Sequence, residues 1–275
     1  MPAYRAGAFI GDAVNSVRAQ SHADWELVII SDDAVDYEAL LAGLGLSDRR
    51  FRFLSSGRMQ AGASNARNIG LESVATNYVA VLDADDRFKP RKLERAVAAL
   101  ADHPIVTTAL EVVTAAFAPL RTVGAGPDRV LEASEHKWVN FSMETMVAWD
   151  RRKCDARYDP DLPNMTDLDF MMKLYRTSAT SYHIGEPLHD YVKLPVSMTN
   201  GPGVTARMVR VKELLLARLA NGYYPMADSG AVEGISRFLR LSLVAEQAYP
   251  TKLAAQPGLL FEDAFEPLLT EALAG

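Results

Sequence analysis

The chain has 275 residues, of which 49% are hydrophobic and 23% are charged, and its formal net charge is −6. This length and composition indicate a globular protein with a substantial core, and the acidic balance argues against a general nucleic-acid-binding protein. The single cysteine, Cys154, excludes an internal disulfide and a cysteine-based zinc site, and it is typical of a reducing compartment.

The N-terminus lacks the apolar segment of a signal peptide, and the longest apolar stretch, residues 105–120, is interrupted by Glu111 and Pro119. Such a stretch is too short to span a bilayer, so the sequence predicts no transmembrane segment. We therefore expect a cytoplasmic protein. The basic residues after Gly201 leave open a peripheral contact with the inner face of the membrane.

The first hundred residues alternate between patterns typical of strands and of helices. In order, the predicted elements are a helix over residues 8–19, a strand over 27–30, a helix over 37–44, an edge strand over 50–54, a loop over 57–62, a helix over 64–74, a strand over 78–82 and a helix over 90–100. This alternation predicts an α/β fold in which crossover helices cover a sheet.

An acidic turn follows the strand predicted over residues 78–82, which the apolar run marks as buried on both faces. Its carboxylates, Asp83 and Asp85, repel each other unless a cation lies between them. Mg²⁺ and Mn²⁺ bind through one or two carboxylates together with substrate phosphates, and open α/β sheets place ligands at the carboxyl ends of strands. The turn therefore predicts a divalent-metal and diphosphate site, with a purely structural acidic turn as the alternative.

The pattern changes after residue 104. The predicted elements are two β-rich runs over residues 105–117 and 145–149, a Gly/Pro loop at 124–127, a helix beginning near 166, a turn and short strand over 183–191, and helices over 208–219, 232–248 and 261–273, with breaks at Pro225, Pro250 and Pro257. Thr166 is a candidate cap for its helix, and Asp167 and Asp169 suit that positive N-terminal end.

Five segments, in this order and spacing, resemble the inverting GT-A glycosyltransferases of family 2. They are Pro2-Ala3-Tyr4, Trp25-Glu26-Leu27 leading to Asp32, Ala66-Arg67-Asn68-x-Gly70, Leu82-Asp83-Ala84-Asp85-Asp86 and Thr166-Asp167-x-Asp169. Tyr191-x-Lys193 with Ser197-x-Thr199 is similar to the closing segment of the family. The resemblance covers roughly residues 1–200 and implies a Rossmann-like mixed sheet with flanking helices.

The resemblance also implies a division of the chain. Residues 1–103 would form the nucleotide-sugar-binding half, residues 104–200 the acceptor-binding half, and residues 201–275 a C-terminal helical subdomain that the resemblance does not reach. The activity implied is transfer of a sugar from a nucleotide diphosphate, expected to be a UDP-sugar, to a saccharide, lipid-linked or small-molecule acceptor. A homodimer is left open.

The resemblance assigns the donor site to the first half. Ala3 and Tyr4 would flank the base, and Asp32 would accept a hydrogen bond from it, as suits the N–H of uracil. Arg67 would neutralise phosphate or hold Asp85.

The Asp-x-Asp motif, Asp83-Ala84-Asp85, would bind the metal and the diphosphate. Asp83 would lie near the ribose and the metal, and Asp85 would bind Mn²⁺ or Mg²⁺, which stabilises charge on the departing diphosphate.

Asp167 is the expected general base, because the acceptor hydroxyl must lose a proton as the new bond forms. The alternative is that Asp167 only caps its helix. Asp169 is expected to support the helix, and His183 and His189 are candidate metal ligands for which a structural role is the alternative.

Three positions depart from the family pattern. Only Met1 precedes Pro2 where several apolar residues of a first strand are expected, Asp33 stands in place of a glycine, and Thr166 replaces the usual Glu before the base.

Two other functions remain open: a sugar-nucleotide pyrophosphorylase, for which Ala6-Gly7-Ala8 is a poor phosphate loop, and a non-catalytic nucleotide-sugar or carbohydrate-binding protein.

Overall fold

The computed structural model describes residues 1–194 and 203–274. The helices are α1 Ile10–Arg18, α2 Tyr37–Gly43, α3 Ala63–Ser73, α4 Lys92–Leu100, α5 His136–Val139, α6 Thr166–Leu174, α7 Val204–Ala220, α8 Ala231–Ala255 and α9 Phe261–Ala274. The strands are β1 Pro2–Ala3, β2 Leu27–Ser31, β3 Phe51–Ser55, β4 Tyr78–Ala80, β5 Arg87–Phe88, β6 Ile105–Val113, β7 Pro119–Val123, β8 Arg129–Glu132, β9 Ala148–Asp150 and β10 Thr180–Val192.

The first sheet is parallel and follows the predicted strand–helix alternation. Its order is β1-β2-β3, so β3 lies at an edge as expected, and the short β1 pairs Pro2 with Ile30. Alternate side chains of β2 enter different cores, because successive residues of a strand point to opposite faces. Ile29 packs with α1 and α2, whereas Val28 and Ile30 pack with Ala66 of α3.

Among the described residues, the second sheet is mixed and has seven strands in the order β4-β9-β6-β10-β5, with β7 beside β6 and β8 beside β10. β6 and β10 are parallel, and the other pairs are antiparallel. The prediction of a strand over residues 78–82 that is buried on both faces was wrong in part. Tyr78–Ala80 is half-buried, and its one partner among the described strands is β9.

The reason lies in the two residues after β4, which leave the sheet to join two different cores. Val81 packs with Trp149 and Phe170, and Leu82 packs with Ile10 and its neighbours. The apolar run therefore continues past the strand, and the acidic turn begins where these two cores meet.

The turn and short strand predicted over residues 183–191 were also wrong. The structure has one long strand, Thr180–Val192, whose register with β6 shifts between Ile184 and His189. Gly185 and Pro187, which read as turn residues in the sequence, are accommodated within this irregularity. A Cβ atom at Gly185 would collide with the backbone of Gly126, so the glycine permits close approach of the 124–127 loop.

The C-terminal helices share a core with the rest of the chain. Leu168 and Met172 of α6 pack with Leu215 of α7, Leu239 of α8 and Phe265 of α9. The three predicted helices are confirmed, each longer than expected.

The break predicted at Pro250 was wrong, because Pro250 lies inside α8. Contacts to the following segment hold the helix on both sides of it. The Tyr249 hydroxyl donates to the Leu259 carbonyl at 2.7 Å, and Lys252 Nζ donates to the Ala264 carbonyl at 3.5 Å.

Within residues 1–194 and 203–274, no helix is both long and apolar enough to cross a bilayer.

An ion-pair cluster also ties α7 to α6. Arg218 donates to Asp169 Oδ1 at 3.1 Å and to Asp159 Oδ2 at 2.7 Å, and the Tyr224 hydroxyl donates to Asp169 at 2.6 Å. Because the Asp169 side chain is 0% exposed, it depends on these partners and on Lys173 to offset the loss of water.

We expect Arg218→Met to lower the free energy of unfolding by about 2 kcal/mol, because it leaves a buried carboxylate with fewer partners. Urea unfolding followed by circular dichroism measures the change. Arg210→Met is the matched control, since Arg210 lies exposed on the same helix. Equal effects of the two substitutions would contradict a stabilising role of the cluster.

Candidate active site

A cleft of about 1210 Å³ runs from the end of the first sheet, past the N-terminus of α6, to the C-terminal helices. It brings together the proposed site residues Tyr4, Asp32, Arg67, Asp83, Ala84, Asp85 and Asp167. Ala3 is not among the lining residues. Its side chain is 0% exposed, and its carbonyl accepts a hydrogen bond from the Asp32 N–H at 2.8 Å. Ala3 therefore has a structural role in the pairing of β1 with β2.

Asp32 is fixed by the loop that follows β3. Its two carboxylate oxygens accept the backbone N–H groups of Ala61 and Gly62, each at 2.9 Å. Gly62 has φ +95°, a left-handed conformation that favours glycine. Asp32 thereby shapes one wall of the cleft, and each of its oxygens retains capacity for one further hydrogen bond.

Asp33, which stands where the family pattern has glycine, has a defined structural role. Its carboxylate accepts hydrogen bonds from the Arg5 backbone N–H at 2.5 Å and from the Tyr37 hydroxyl at 2.9 Å. Arg5 has φ 51°, so the carboxylate stabilises a turn that a side chain disfavours. This contact holds the loop that carries Tyr4 at the cleft.

The carboxylates of the acidic turn differ in their partners. Asp83 forms an ion pair with Arg67 Nη2 at 2.6 Å, and Asp86 accepts from the Val192 N–H at 2.9 Å and lies 3.1 Å from His189 Nε2. Asp85 forms no ion pair with any residue in the described ranges. Burial, followed by the charges of Asp86 and Asp83, raises the pKa of Asp85 to about 7. The expected contact of Arg67 with Asp85 was wrong, because the structure pairs Arg67 with Asp83 instead.

The donor set of this turn suits a hard cation that also binds phosphate. Within residues 1–194 and 203–274, no group of three or more His, Cys, Asp or Glu side chains is placed to hold a metal alone. Asp85 and the second oxygen of Asp83 supply one or two carboxylates, and Mg²⁺ or Mn²⁺ commonly takes its other ligands from phosphates and water. The residues therefore fit a cation bound together with a diphosphate.

Asp167 lies in the first turn of α6 and lines the cleft. Its Oδ2 accepts the backbone N–H of Glu144 at 3.1 Å. The N-cap of the helix is Met165, at φ 54°, and not Thr166 as predicted. Thr166 is the first helical residue, and its hydroxyl accepts from Arg67 Nη1 at 3.4 Å.

Arg67 consequently joins the two halves of the site. Nη2 of its guanidinium binds Asp83 after β4 and Nη1 binds Thr166 beside Asp167, and its side chain is 9% exposed. The planar fork of arginine suits this double contact. The acidic turn and the N-terminus of α6 are thus held at a defined separation across the cleft.

Lys137 and Glu144 are among the cleft residues that sequence reasoning missed. Lys137 Nζ forms an ion pair with Glu144, and the two side chains are 3% and 4% exposed. Burial is the main cause that raises the pKa of Glu144 to about 8, and Asp167 adds to this increase while Lys137 opposes it. The available signal was two charged residues within the otherwise apolar and neutral stretch over residues 136–149.

His183 and His189, the other candidate ligands, bond within the fold and are not among the cleft residues. His183 Nε2 lies 2.7 Å from the Gly124 carbonyl, and His189 contacts Asp86. Burial, followed by the charge of Lys92, lowers the pKa of His189 to about 3.

The far end of the cleft is lined by the C-terminal helices. Its apolar lining includes Met208, Phe238, Leu253, Leu260 and Phe261. Two ion pairs lie in the same wall, Lys212–Glu246 at 2.6 Å and Lys193–Glu262 at 2.8 Å. Ser197 and Thr199 of the predicted closing segment lie outside the described residues.

Curated relatives of this chain are glycosyltransferases. A protein named as a teichuronic acid biosynthesis glycosyltransferase, TuaG of Bacillus subtilis, is 26% identical over 197 residues, which are 69% of this chain and 76% of TuaG. WfgD of Escherichia coli, a UDP-Glc:alpha-D-GlcNAc-diphosphoundecaprenol beta-1,3-glucosyltransferase, is 33% identical over 105 residues, 38% of this chain and 41% of WfgD.

Solved structures show the same fold. S. aureus TarS 1–349 in complex with UDP-GlcNAc superposes with a TM-score of 0.70 at 15% identity, over 99% of this chain and 78% of that chain. A longer TarS chain gives a TM-score of 0.67 at 14% identity, and this chain covers 45% of it. The fold is accordingly the GT-A glycosyltransferase fold with added C-terminal helices.

The family model described as glycosyl transferase family 2 matches residues 1–182, which include the acidic turn, Arg67 and Asp167. The match and the named relatives establish that the protein is a glycosyltransferase, and they favour this function over the pyrophosphorylase and the non-catalytic alternatives. The chain belongs to glycosyl transferase family 2.

Proposed function

We propose that this protein transfers a sugar from a UDP-sugar to an acceptor hydroxyl, with inversion at the anomeric carbon and dependence on Mn²⁺ or Mg²⁺. The observation that carries the proposal is Arg67, which binds Asp83 on one side of the cleft and Thr166, next to Asp167, on the other. UDP-sugars occur in the name of WfgD and in the complex of TarS, which supports this class of donor.

The donor would lie along the first sheet. Tyr4 borders the base, and Asp32 offers its remaining acceptor capacity to the base N–H. Ala3 and Ala84 contribute through the backbone positions that they fix, since both side chains are buried. Asp85, with the free oxygen of Asp83, would hold a divalent cation, which when bound neutralises charge on the diphosphate.

Asp167 would act as the general base. The acceptor oxygen attacks the anomeric carbon as its proton passes to Asp167, and the bond from that carbon to the diphosphate oxygen breaks in the same displacement. One displacement from the opposite face inverts the configuration. Arg67 remains near the diphosphate, where its charge favours the developing negative charge of the leaving group.

The acceptor would enter from the C-terminal helices, so residues 104–200 and 201–275 both contribute to its site. The apolar side chains there, among them Met208, Leu260 and Phe261, favour an acceptor with an apolar portion. A lipid-linked saccharide fits this description and is the kind of acceptor named for WfgD. Contact with a membrane and formation of a homodimer stay predictions.

The proposal is tested with UDP-glucose and UDP-GlcNAc in the presence of Mn²⁺ and a lipid-linked saccharide acceptor. We expect release of UDP and a product whose anomeric configuration, read from its proton coupling by NMR, is opposite to that of the donor. A product with the donor configuration would contradict the role of Asp167. Donor binding without UDP release would favour a non-catalytic protein, and formation of UTP from UDP-sugar and pyrophosphate would favour a pyrophosphorylase.

A further inference from the structure

Two buried oxygen atoms beside the far end of the cleft have no hydrogen-bond partner within residues 1–194 and 203–274. They are Oδ1 of Asn164, in the loop before α6, and Oε2 of Glu262, in the first turn of α9. Both residues line the cleft, and they are 3% and 5% exposed. Since a buried polar atom without a hydrogen bond is costly, two such oxygens in one cleft indicate where a ligand supplies the missing hydrogen-bond donors.

Glu262 is held so that the fold uses only one of its oxygens. Its Oε1 accepts from Lys193 Nζ at 2.8 Å and from the Ser142 hydroxyl at 3.1 Å. Burial opposes ionisation, but the charge and the hydrogen bond of Lys193 outweigh it and lower the pKa of Glu262, so the carboxylate is ionised at neutral pH. An ionised carboxylate forms stronger hydrogen bonds than a neutral acceptor, and Oε2 retains this capacity.

Asn164 is held by the neighbouring helix α7. Its Nδ2 donates to Met208 Sδ at 3.1 Å, which leaves the carbonyl oxygen to accept a hydrogen bond from elsewhere. The next residue, Met165, has φ 54° and leads into α6, which carries Asp167 in its first turn. Asn164 and the proposed base therefore belong to one short segment of the cleft wall.

Among the described residues of this part of the cleft, every lysine is paired with a glutamate. The pairs are Lys137–Glu144, Lys193–Glu262 and Lys212–Glu246. Residues 195–202, which lie outside the described ranges, include no Lys, Arg, Asp or Glu. Recruiting one of these ammonium groups to an anionic acceptor would break an ion pair and leave a buried glutamate uncompensated, which is costly. A neutral hydroxyl group requires no such change.

We propose that Glu262 and Asn164 select a neutral saccharide as the acceptor, by accepting hydrogen bonds from hydroxyl groups of the sugar unit that lies beside Asp167. This inference rests on the proposed transfer reaction with Asp167 as its base. An ionised carboxylate accepts hydrogen bonds but donates none, so Glu262 favours a hydroxyl group and repels a phosphate or a uronic acid. Phe261, in the same wall, offers an apolar ring to the C–H face of the sugar.

Matched pairs of glycosides test this selectivity. Hexyl glucoside and hexyl galactoside differ from hexyl glucuronide and hexyl galacturonide only in the oxidation of C6. By calorimetry of the protein with UDP and Mn²⁺, we expect at least one neutral glycoside to bind roughly tenfold more tightly than its acid. An acid that binds as tightly as its neutral counterpart in both pairs would overturn the proposal, and so would absence of binding by both neutral glycosides.

Two substitutions assign the selectivity to these residues. Glu262→Gln keeps the shape of the side chain but removes its charge, so the affinity for the neutral glycoside should fall roughly tenfold and its advantage over the acid should shrink. Asn164→Leu removes an uncharged acceptor. It should lower the affinity for both members of a pair by roughly threefold to tenfold and leave their ratio unchanged.

Glu271→Gln is the matched control, since Glu271 is exposed on the same helix as Glu262 and should bind all four glycosides as the wild type does. Circular dichroism and the affinity for UDP confirm that each variant folds. Wild-type affinity and selectivity in Glu262→Gln would overturn the role of Glu262. If that variant does not fold, the selectivity of the wild type and the effect of Asn164→Leu decide. Failure to transfer sugar to a glycoside that binds would instead overturn the proposed reaction, which is a separate failure.

Discussion

Replacing Asp167 with asparagine should lower kcat by at least about a hundredfold and leave the affinity for UDP unchanged, because a positioned general base typically contributes 10²–10⁴ in rate. Asparagine has nearly the same shape as aspartate, and its amide oxygen can still accept the Glu144 N–H that now bonds Asp167. The amide cannot take a proton from the acceptor. The expected loss therefore falls on the chemical step and not on the fold or on donor binding.

The test combines steady-state kinetics with calorimetric titration of UDP. Asp161→Asn is the control of equal charge change, since Asp161 is exposed just before α6 and is not among the cleft residues. It should keep wild-type kcat. A normal kcat in Asp167→Asn would show that another group accepts the proton, and Asp167 would then be only a first-turn residue of its helix.

Much of the first half of this fold could be predicted, because local patterns determine it. The strand around Ile29 is apolar and buried over residues 27–30, with helices on both faces, and the neighbouring helix carries its apolar residues on one side. The acidic turn was found for the same reason, since an apolar run that ends in carboxylates is visible in a few consecutive residues.

The predictions that were wrong concern segments whose structure depends on contacts between residues distant in the sequence. Gly185 and Pro187 are turn residues by composition, yet pairing with β6 over most of its length keeps them inside one strand. Pro250 is likewise kept inside α8 by contacts to residues 259–264. In each case tertiary structure overrides a local preference.

In the candidate site, too, local sequence patterns could be interpreted but contacts between distant residues could not. The sequence indicated which carboxylates belong to it but not how their partners differ. Arg67 reaches Asp83 from α3, and Glu144 reaches Asp167 from a loop that precedes it by 23 residues. No sequence pattern specifies which residue each of these side chains contacts, so neither contact could be assigned before the structure was known.

Replacing Asp85 with asparagine should abolish the gain in UDP affinity that Mn²⁺ provides to the wild type, a gain that we expect to be at least tenfold, or about 1.4 kcal/mol. Asp85 is the carboxylate of the turn without an ion pair among the described residues, and its pKa is raised to about 7, chiefly by burial, as expected of a group that favours a nearby cation. Removing one electrostatic partner of a leaving group commonly costs 10²–10³ in rate, so kcat should fall by a similar factor.

Replacing Asp83 with asparagine distinguishes binding of the metal from the contact between Asp83 and Arg67. Asp83→Asn weakens the contact with Arg67 and should therefore lower both the affinity for UDP without metal and the gain from Mn²⁺, whereas Asp85→Asn should lower only the gain. Calorimetry of UDP with Mn²⁺ and with EDTA measures both quantities, and Asp102→Asn, at an exposed turn after α4, is the control. If the wild type binds UDP and transfers sugar equally well in EDTA, Asp85 has no metal to hold, and Arg67 becomes the group that must neutralise the departing diphosphate.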